Sequence, residues 1–162
     1  ILKPPGAAVS KLSRETDAAG PRVTMADEVM LRAAEPLPDR LVDRTVPVDL
    51  VGTMNGYVWT MPVHGMVGLP AQAEKGERVE ISFRNTTMMS HPMHLHGHVF
   101  QVVEIDGTRI AGAIRDTVLV APKSSVTIAF DADNPGIWAF HCHNLYHMAA
   151  GMFSTLVYRG FD

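Results

Sequence analysis

The sequence predicts an all-β sandwich preceded by an extended arm, and three observations carry that reading. Short apolar, β-branched segments recur from Thr45 onward at roughly 8–12-residue spacing, the pattern of a sandwich built from seven or eight strands. Turn-forming residues punctuate them: Asp106-Gly107, Pro122 and Asn134-Pro135-Gly136. Residues 1–44 instead carry Pro4-Pro5, Gly20-Pro21 and Pro36-Leu37-Pro38 among charges of both signs, with too few apolar side chains for a core. The expected division is therefore a linker or extended arm over 1–44, arriving from a preceding domain, and one β domain over 45–162.

Within the arm, a short helix is predicted around Met25–Ala34 with Thr24 as its N-cap, because a threonine hydroxyl can accept from the first free backbone N–H groups. In the domain, Val46–Leu50 and Gly56–Thr60 are the first strand candidates. Arg78-Val79-Glu80-Ile81-Ser82-Phe83-Arg84 alternates cleanly, which predicts one buried and one wet face. His98–Ile105 follows and ends at the Asp106-Gly107 turn, then Thr117–Val120, Ser125–Phe130, Ile137–Phe140 and Phe153–Tyr158. Tyr57, Trp59 and Trp138 read as core aromatics, and Met25, Met30 and Met54 as core filler.

The chain has 162 residues, 46% hydrophobic and 19% charged, enough for one globular domain with a full core. A net charge of −3 suggests neither a nucleic-acid nor an anionic-membrane partner. No apolar run approaches the roughly 20 residues of a membrane span. The chain begins Ile1-Leu2-Lys3-Pro4 without an initiator methionine and without a signal-peptide pattern, which suggests a fragment or a processed chain.

The chemistry concentrates in two windows. His91, His94, His96 and His98 lie in one, and His141, His143 and His147 in the other, so only His64 of the eight histidines stands apart. The single cysteine sits between two of them, His141-Cys142-His143. A strand sends alternate side chains to opposite faces, so an extended tripeptide points its thiol one way and both imidazoles the other. One strand could then serve two metal sites joined covalently.

On the thiol side, Cys142, His147 and Met152 follow a Cys-x4-His-x4-Met spacing, and His91 is the natural second imidazole. A thiolate, two imidazoles and a weak thioether make a blue-copper electron-transfer site. Zinc would ordinarily take more cysteines or paired spacings that are missing here. On the other side, His94 and His96 alternate about Leu95 as His141 and His143 do about Cys142. Four imidazoles from two strands can bind one metal or supply half of a larger cluster, and Gly97 allows the close backbone approach of a crowded site. His98 reads as a satisfied structural histidine and His64 as a surface one. The ordinary alternative for Cys142 is an inert buried thiol.

Taken together, His91-Pro92-Met93-His94-Leu95-His96-Gly97-His98 and His141-Cys142-His143-x3-His147-x4-Met152 resemble the C-terminal cupredoxin domain of multicopper oxidases, above all the laccase-like and bacterial copper-resistance members. The resemblance covers about residues 45–162, including Arg115-Asp116-Thr117-Val118 and Asp133-Asn134-Pro135-Gly136-Ile137-Trp138. It implies a cupredoxin-like Greek-key β-sandwich. It implies that His91, Cys142, His147 and Met152 are type 1 copper ligands, that His94 binds the type 2 copper, and that His96, His141 and His143 bind the type 3 pair. Cys142, His141 and His143 would carry electrons from the type 1 site to the cluster, where dioxygen becomes water. The reducing substrate would be a phenol or Cu(I), and the compartment periplasmic or extracellular.

Two departures from the family matter. Its trinuclear cluster takes histidines from two domains, four from each, and this chain has only one such set, so an N-terminal cupredoxin domain, in the same parent or on another chain, must supply the rest. By itself the chain is expected to be inactive. Some bacterial members also place a proton-relaying carboxylate just after the last type 1 histidine, where this chain has Met148. A blue-copper electron carrier, or a copper-binding module built on Met88, Met89 and Met93, are the competing functions.

Overall fold

The computed structural model describes residues 3–8, 15, 20 and 25–161. Two helices and twelve strands follow in order: α1 (Ala26–Met30), β1 (Arg44–Thr53), β2 (Val58–Thr60), β3 (Ala71–Ala73), β4 (Arg78–Asn85), β5 (His91–Leu95), β6 (Phe100–Ile105), β7 (Thr108–Arg109), β8 (Ile114–Arg115), β9 (Thr117–Val120), β10 (Ser125–Asp131), β11 (Ile137–Cys142), α2 (Leu145–Ala149) and β12 (Phe153–Tyr158). They form two sheets. One runs β2-β1-β4-β10-β6-β7 with β8 also on β6, and the other runs β3-β12-β11-β5-β9. Only β1–β4 and β12–β3 pair in parallel.

The sheets close on one apolar core. Val79, Ile81 and Phe83 of β4 face Met93, Leu95 and Phe140 of the second sheet, all essentially inaccessible to water. The Phe83 and Phe140 rings meet across the sandwich with centroids 5.5 Å apart. Burying each such side chain contributes about 1.5–3 kcal/mol, which anchors both β5 and β11, the strands that carry the histidines.

The fold departs from the sequence reading where backbone geometry or the arm intervenes. The strand expected over 98–105 begins only at Phe100, because Gly97 turns the chain at φ +71°. A Cβ at Gly97 would sit 2.4 Å from the Trp138 ring, so the close approach this glycine permits is to an indole, not to a metal. Gly56 and Tyr57 both have positive φ, which shortens the segment expected at 56–60 to β2. The polar face of β4 is not wet throughout. Arg78 and Glu80 are buried, with Arg78 paired to Asp131 at 2.8 Å and donating to the Pro38 carbonyl at 3.1 Å, and Glu80 bonded to Arg109 at 2.6 Å.

Part of that cover comes from the arm. Ala33 N–H donates to the Gly112 carbonyl and Leu37 N–H to Gln101 Oε1, so the residues after α1 are drawn out along the first sheet instead of continuing a helix to Ala34. Met25, with no side-chain cap bond, stands at the N-cap of α1, and Thr24 lies outside the described residues. Met25 is buried, but Met30 and Met54 are exposed and fill no core. Among the described residues no helix is long and apolar enough to cross a membrane.

Candidate metal centre

Strand pairing decides which way each histidine points. In the antiparallel pair β11–β5, His141 stands opposite His94 and Cys142 opposite Met93, and in β5–β9 His91 stands opposite Val120. Directly opposed residues share a face. Cys142, Met93 and His91 therefore face the core, while His141 and His94 face away from it. The burial of β5 alternates accordingly, with His91, Met93 and Leu95 buried and Pro92 and His94 less so.

On the core side, His91 Nδ1 lies 3.8 Å and His147 Nδ1 3.9 Å from Cys142 Sγ, and the two Nδ1 atoms lie 3.1 Å apart. Among the described residues this is the one group of three metal-ligating side chains whose donor atoms converge so closely, and all three residues are buried. His147 is delivered by α2, a five-residue helix inside what reads in sequence as a loop. Main-chain bonds tie that loop shut: Cys142 N–H donates to the Met152 carbonyl and Met152 N–H to the His147 carbonyl, both at 3.0 Å. Met152 is fully buried.

The surroundings fix the imidazoles. Thr87 Oγ1 lies 2.8 Å from His91 Nε2 and donates to Asn85 Oδ1 at 2.8 Å. If Thr87 gives its proton to Asn85 or to the Met89 carbonyl, 3.1 Å away, it accepts from His91 Nε2–H, and that tautomer turns the Nδ1 lone pair of His91 toward the sulfur. Burial, and secondarily the neighbouring His147, pulls the His91 pKa down to about 4. Burial likewise lowers the His147 pKa and pushes the Cys142 thiol up to about 11. Trp59 stacks on the His147 ring with centroids 4.0 Å apart.

These residues fit a soft cation. Two neutral imidazole nitrogens facing each other at 3.1 Å beside a buried thiol form a donor set without a charge to satisfy it. Sulfur with imidazole favours copper over harder metals. A bound cation would also hold the thiol as thiolate, which burial alone opposes.

On the other side four of the six remaining histidines gather more loosely. His96 Nε2 and His141 Nε2 are 3.0 Å apart, and the His94 ring lies 4.7 Å from His96, 5.6 Å from His141 and 5.5 Å from His143. His94 Nδ1–H donates to the Asp116 carbonyl at 2.8 Å and His141 Nδ1–H to the Cys142 carbonyl at 3.0 Å, which frees Nε2 on both for a ligand. His96 and His143 are exposed. His96 stands just past the end of β5 and His143 just past β11, so neither keeps strict strand alternation, yet both reach the cluster. An open depression of about 700 Å³ borders His94, His96 and Asp116.

His98 belongs to neither group. It is buried, donates from Nδ1 to the His96 carbonyl at 3.1 Å and meets the Tyr158 hydroxyl at 2.6 Å through Nε2. His64 is exposed in a turn. Met93 faces the core beside Cys142 while Met88 is exposed, so the two do not share a surface. Sequence reasoning missed Thr87, Asn85, Asp116 and Thr117, which orient the imidazoles, and it took Trp59 for plain core. Thr87, four residues before His91, is near enough in sequence to have been noticed, whereas Asp116 and Thr117 lie 22 and 23 residues from His94 and read in the sequence only as part of a motif, without a role.

Comparison with known proteins gives one consistent result. A family model described as "Multicopper oxidase" matches residues 40–160. The chain is 47% identical over 116 residues to the multicopper oxidase MmcO of Mycobacterium tuberculosis, an alignment covering 70% of this chain and 22% of that protein. It is 38% identical over 125 residues to a copper resistance protein A homolog of Pseudomonas syringae pv. tomato, covering 76% of this chain and 21% of the relative. The chain thus spans about a fifth of the length of these relatives. Among solved structures, Fet3p, a multicopper oxidase that functions in iron import, superposes with a TM-score of 0.68 at 25% identity, covering 95% of this chain and 38% of that one. The blue copper oxidase of Nitrosomonas europaea superposes with a TM-score of 0.66 at 22% identity, covering 77% and 47%. The fold is accordingly the cupredoxin-like β-sandwich expected from the sequence.

Proposed function

The chain belongs to the multicopper oxidase family, and from that premise we propose that residues 45–162 are the C-terminal cupredoxin domain of such an oxidase, reached from a preceding domain through the arm of residues 1–44. Copper is the cofactor. His91, Cys142, His147 and Met152 are the type 1 ligands, His94 is a type 2 ligand, and His96, His141 and His143 are this chain's share of the type 3 ligands. One observation carries the reading: β11 buries Cys142 against His91 and His147 while turning His141 outward onto His96 and His94.

Copper at the buried centre supplies a one-electron couple. The protein's part is to present neutral imidazoles, to exclude water around the sulfur, and to join the two centres through the Cys142 backbone. The Cys142 carbonyl accepts from His141 Nδ1, so the link between the two faces is hydrogen-bonded as well as covalent. Four histidines on an open face, in a chain about a fifth as long as its relatives, support the need for an N-terminal cupredoxin domain to complete the cluster. The whole enzyme would take electrons from a small reducing substrate, a phenol or Cu(I), and reduce dioxygen to water in the periplasm or outside the cell. The copper resistance protein A homolog among the relatives supports copper, beside phenols, as a class of substrate to test.

Co-expression with the missing N-terminal part, followed by oxygen uptake with a phenolic donor and with Cu(I), tests this. Turnover by the copper-loaded assembly and none by the chain alone is expected, and an inert, fully loaded assembly overturns the oxidase reading. A second reading, a blue-copper carrier without oxidase activity, is favoured by the completeness of the buried triad within the chain itself. Copper uptake that stops at one per chain even with the partner domain present would select it.

A further inference from the structure

We propose that Trp59 is a positioning residue for the sulfur–imidazole centre, holding the ring plane of His147 and shielding the centre from water. Its indole stacks on the His147 ring at 4.0 Å with an interplanar angle of 22° and presents its edge to His91 at 5.3 Å and 65°. An imidazole covered on one face at that distance cannot turn about its Cβ–Cγ bond without displacing the indole, so His147 Nδ1 stays aimed at Cys142 Sγ, 3.9 Å away.

The chain makes room for Trp59 at two places, once for its ring and once for its backbone. Gly52 pairs with Trp59 across β1–β2, and a Cβ there would sit 2.3 Å from Trp59 Cε3. Gly151, beside Met152 and at φ +118°, lies so close that a Cβ would fall 2.7 Å from the Trp59 carbonyl. Trp59 is 1% exposed, yet among the described residues its Nε1–H has no hydrogen-bond partner. Buried indoles usually find one, and leucine or phenylalanine would fill a core without the orphaned donor. What only the bicyclic ring supplies is simultaneous cover of both imidazoles. Tyr57, 39% exposed, packs edge-on against the same indole at 6.0 Å and continues the cover outward.

The first consequence needs no metal, and the second rests on the reading of His91, Cys142 and His147 as copper ligands. In proton NMR of the full chain, the His147 ring protons should be shifted upfield by the indole ring current, and Trp59→Leu should abolish that shift. In copper-loaded chain, Trp59→Leu should still bind one copper but change its reduction potential and visible absorption maximum and release it to a chelator about 10–100-fold faster, the range for second-layer residues of metal sites. Trp59→Phe should fall between. Trp59→Phe, which keeps an aromatic ring in the same place, carries the test if Trp59→Leu does not fold. Unchanged potential and release rate in folded Trp59→Leu or Trp59→Phe overturn the proposal, because a mere core residue would lower only the melting temperature, and His147 ring protons without an upfield shift in the wild-type chain overturn the stacking it is built on. Wild-type chain that takes up no copper would defeat the copper reading of the centre and with it the second consequence, while the ring shifts still decide the first.

Discussion

The two sides of β11 differ in how far the chain completes its own chemistry. On the core side, His91, Cys142 and His147 are buried, their donor atoms converge within 3.9 Å, and Thr87 and Trp59 hold the rings from behind. On the outer side, His94, His96, His141 and His143 approach one another, but only His96 and His141 bring ring nitrogens into contact, and two of the four are exposed. The same strand thus carries a group of side chains that the sandwich encloses and, on its other side, a histidine group that it leaves partly open. Burial sets the difference: the core excludes water from one set of side chains, at the expense of their charged forms, whereas His96 and His143 of the outward set stay open to solvent.

The comparison breaks first at the shared cysteine. Cys142→Ser is expected to abolish the sulfur-to-copper charge-transfer band entirely while leaving the His96–His141 contact in place, read by absorption and by proton NMR of the histidine rings. A surviving band would contradict the assignment. Next is the anchor common to both sides. Phe140→Ala removes a ring that closes the sandwich against Phe83 and should cost about 3–5 kcal/mol in urea unfolding, disturbing both histidine groups together. A loss below about 1 kcal/mol would show that β11 is not the shared anchor.

The third expectation concerns protons. The His91 pKa lies near 4, below the ordinary 6.5. Between those values the unfolded chain takes up a proton that the folded chain refuses. The copper-free chain should therefore lose up to about 3 kcal/mol of stability as pH falls through that window, and gain nothing more above it. Urea midpoints across pH 4–7 read this, and His91→Gln should flatten the curve. The smallest effects separate the sides by their supporting hydroxyls. Thr87→Val should weaken copper binding at the buried centre about 10–100-fold in chelator competition. Thr117→Val should change little, since His94 Nδ1 keeps the Asp116 carbonyl. Equal effects would erase the distinction between an enclosed and an open site.

Much of this was legible before any coordinates. The Cys-x4-His-x4-Met spacing and the His-x-His pairs carry covalent neighbours and strand alternation, which local chemistry determines, and the sandwich follows from periodic apolar segments. What escaped depended on contacts distant in sequence. Nothing local marks β5 as a strand, since His91-Pro92-Met93-His94-Leu95 owes its extension to pairing with β9 and β11. The helix that carries His147 is five residues long, too short for a periodic signal. Arg78 and Glu80 look like a wet face until the Pro38 carbonyl and Asp131 meet the first and Arg109 the second. Trp59 looks like core because only the folded chain brings it against His147, 88 residues later in the sequence.

The central claim is that this chain closes one metal centre and offers half of another. Copper titration of the chain alone, followed by absorption and electron paramagnetic resonance and then repeated with the partner domain, tests it most directly. One tightly bound, intensely coloured copper per chain is expected, with further tight binding only after the partner is added. Tight binding of additional copper by the chain alone, or a first copper without the sulfur charge-transfer band, would contradict it.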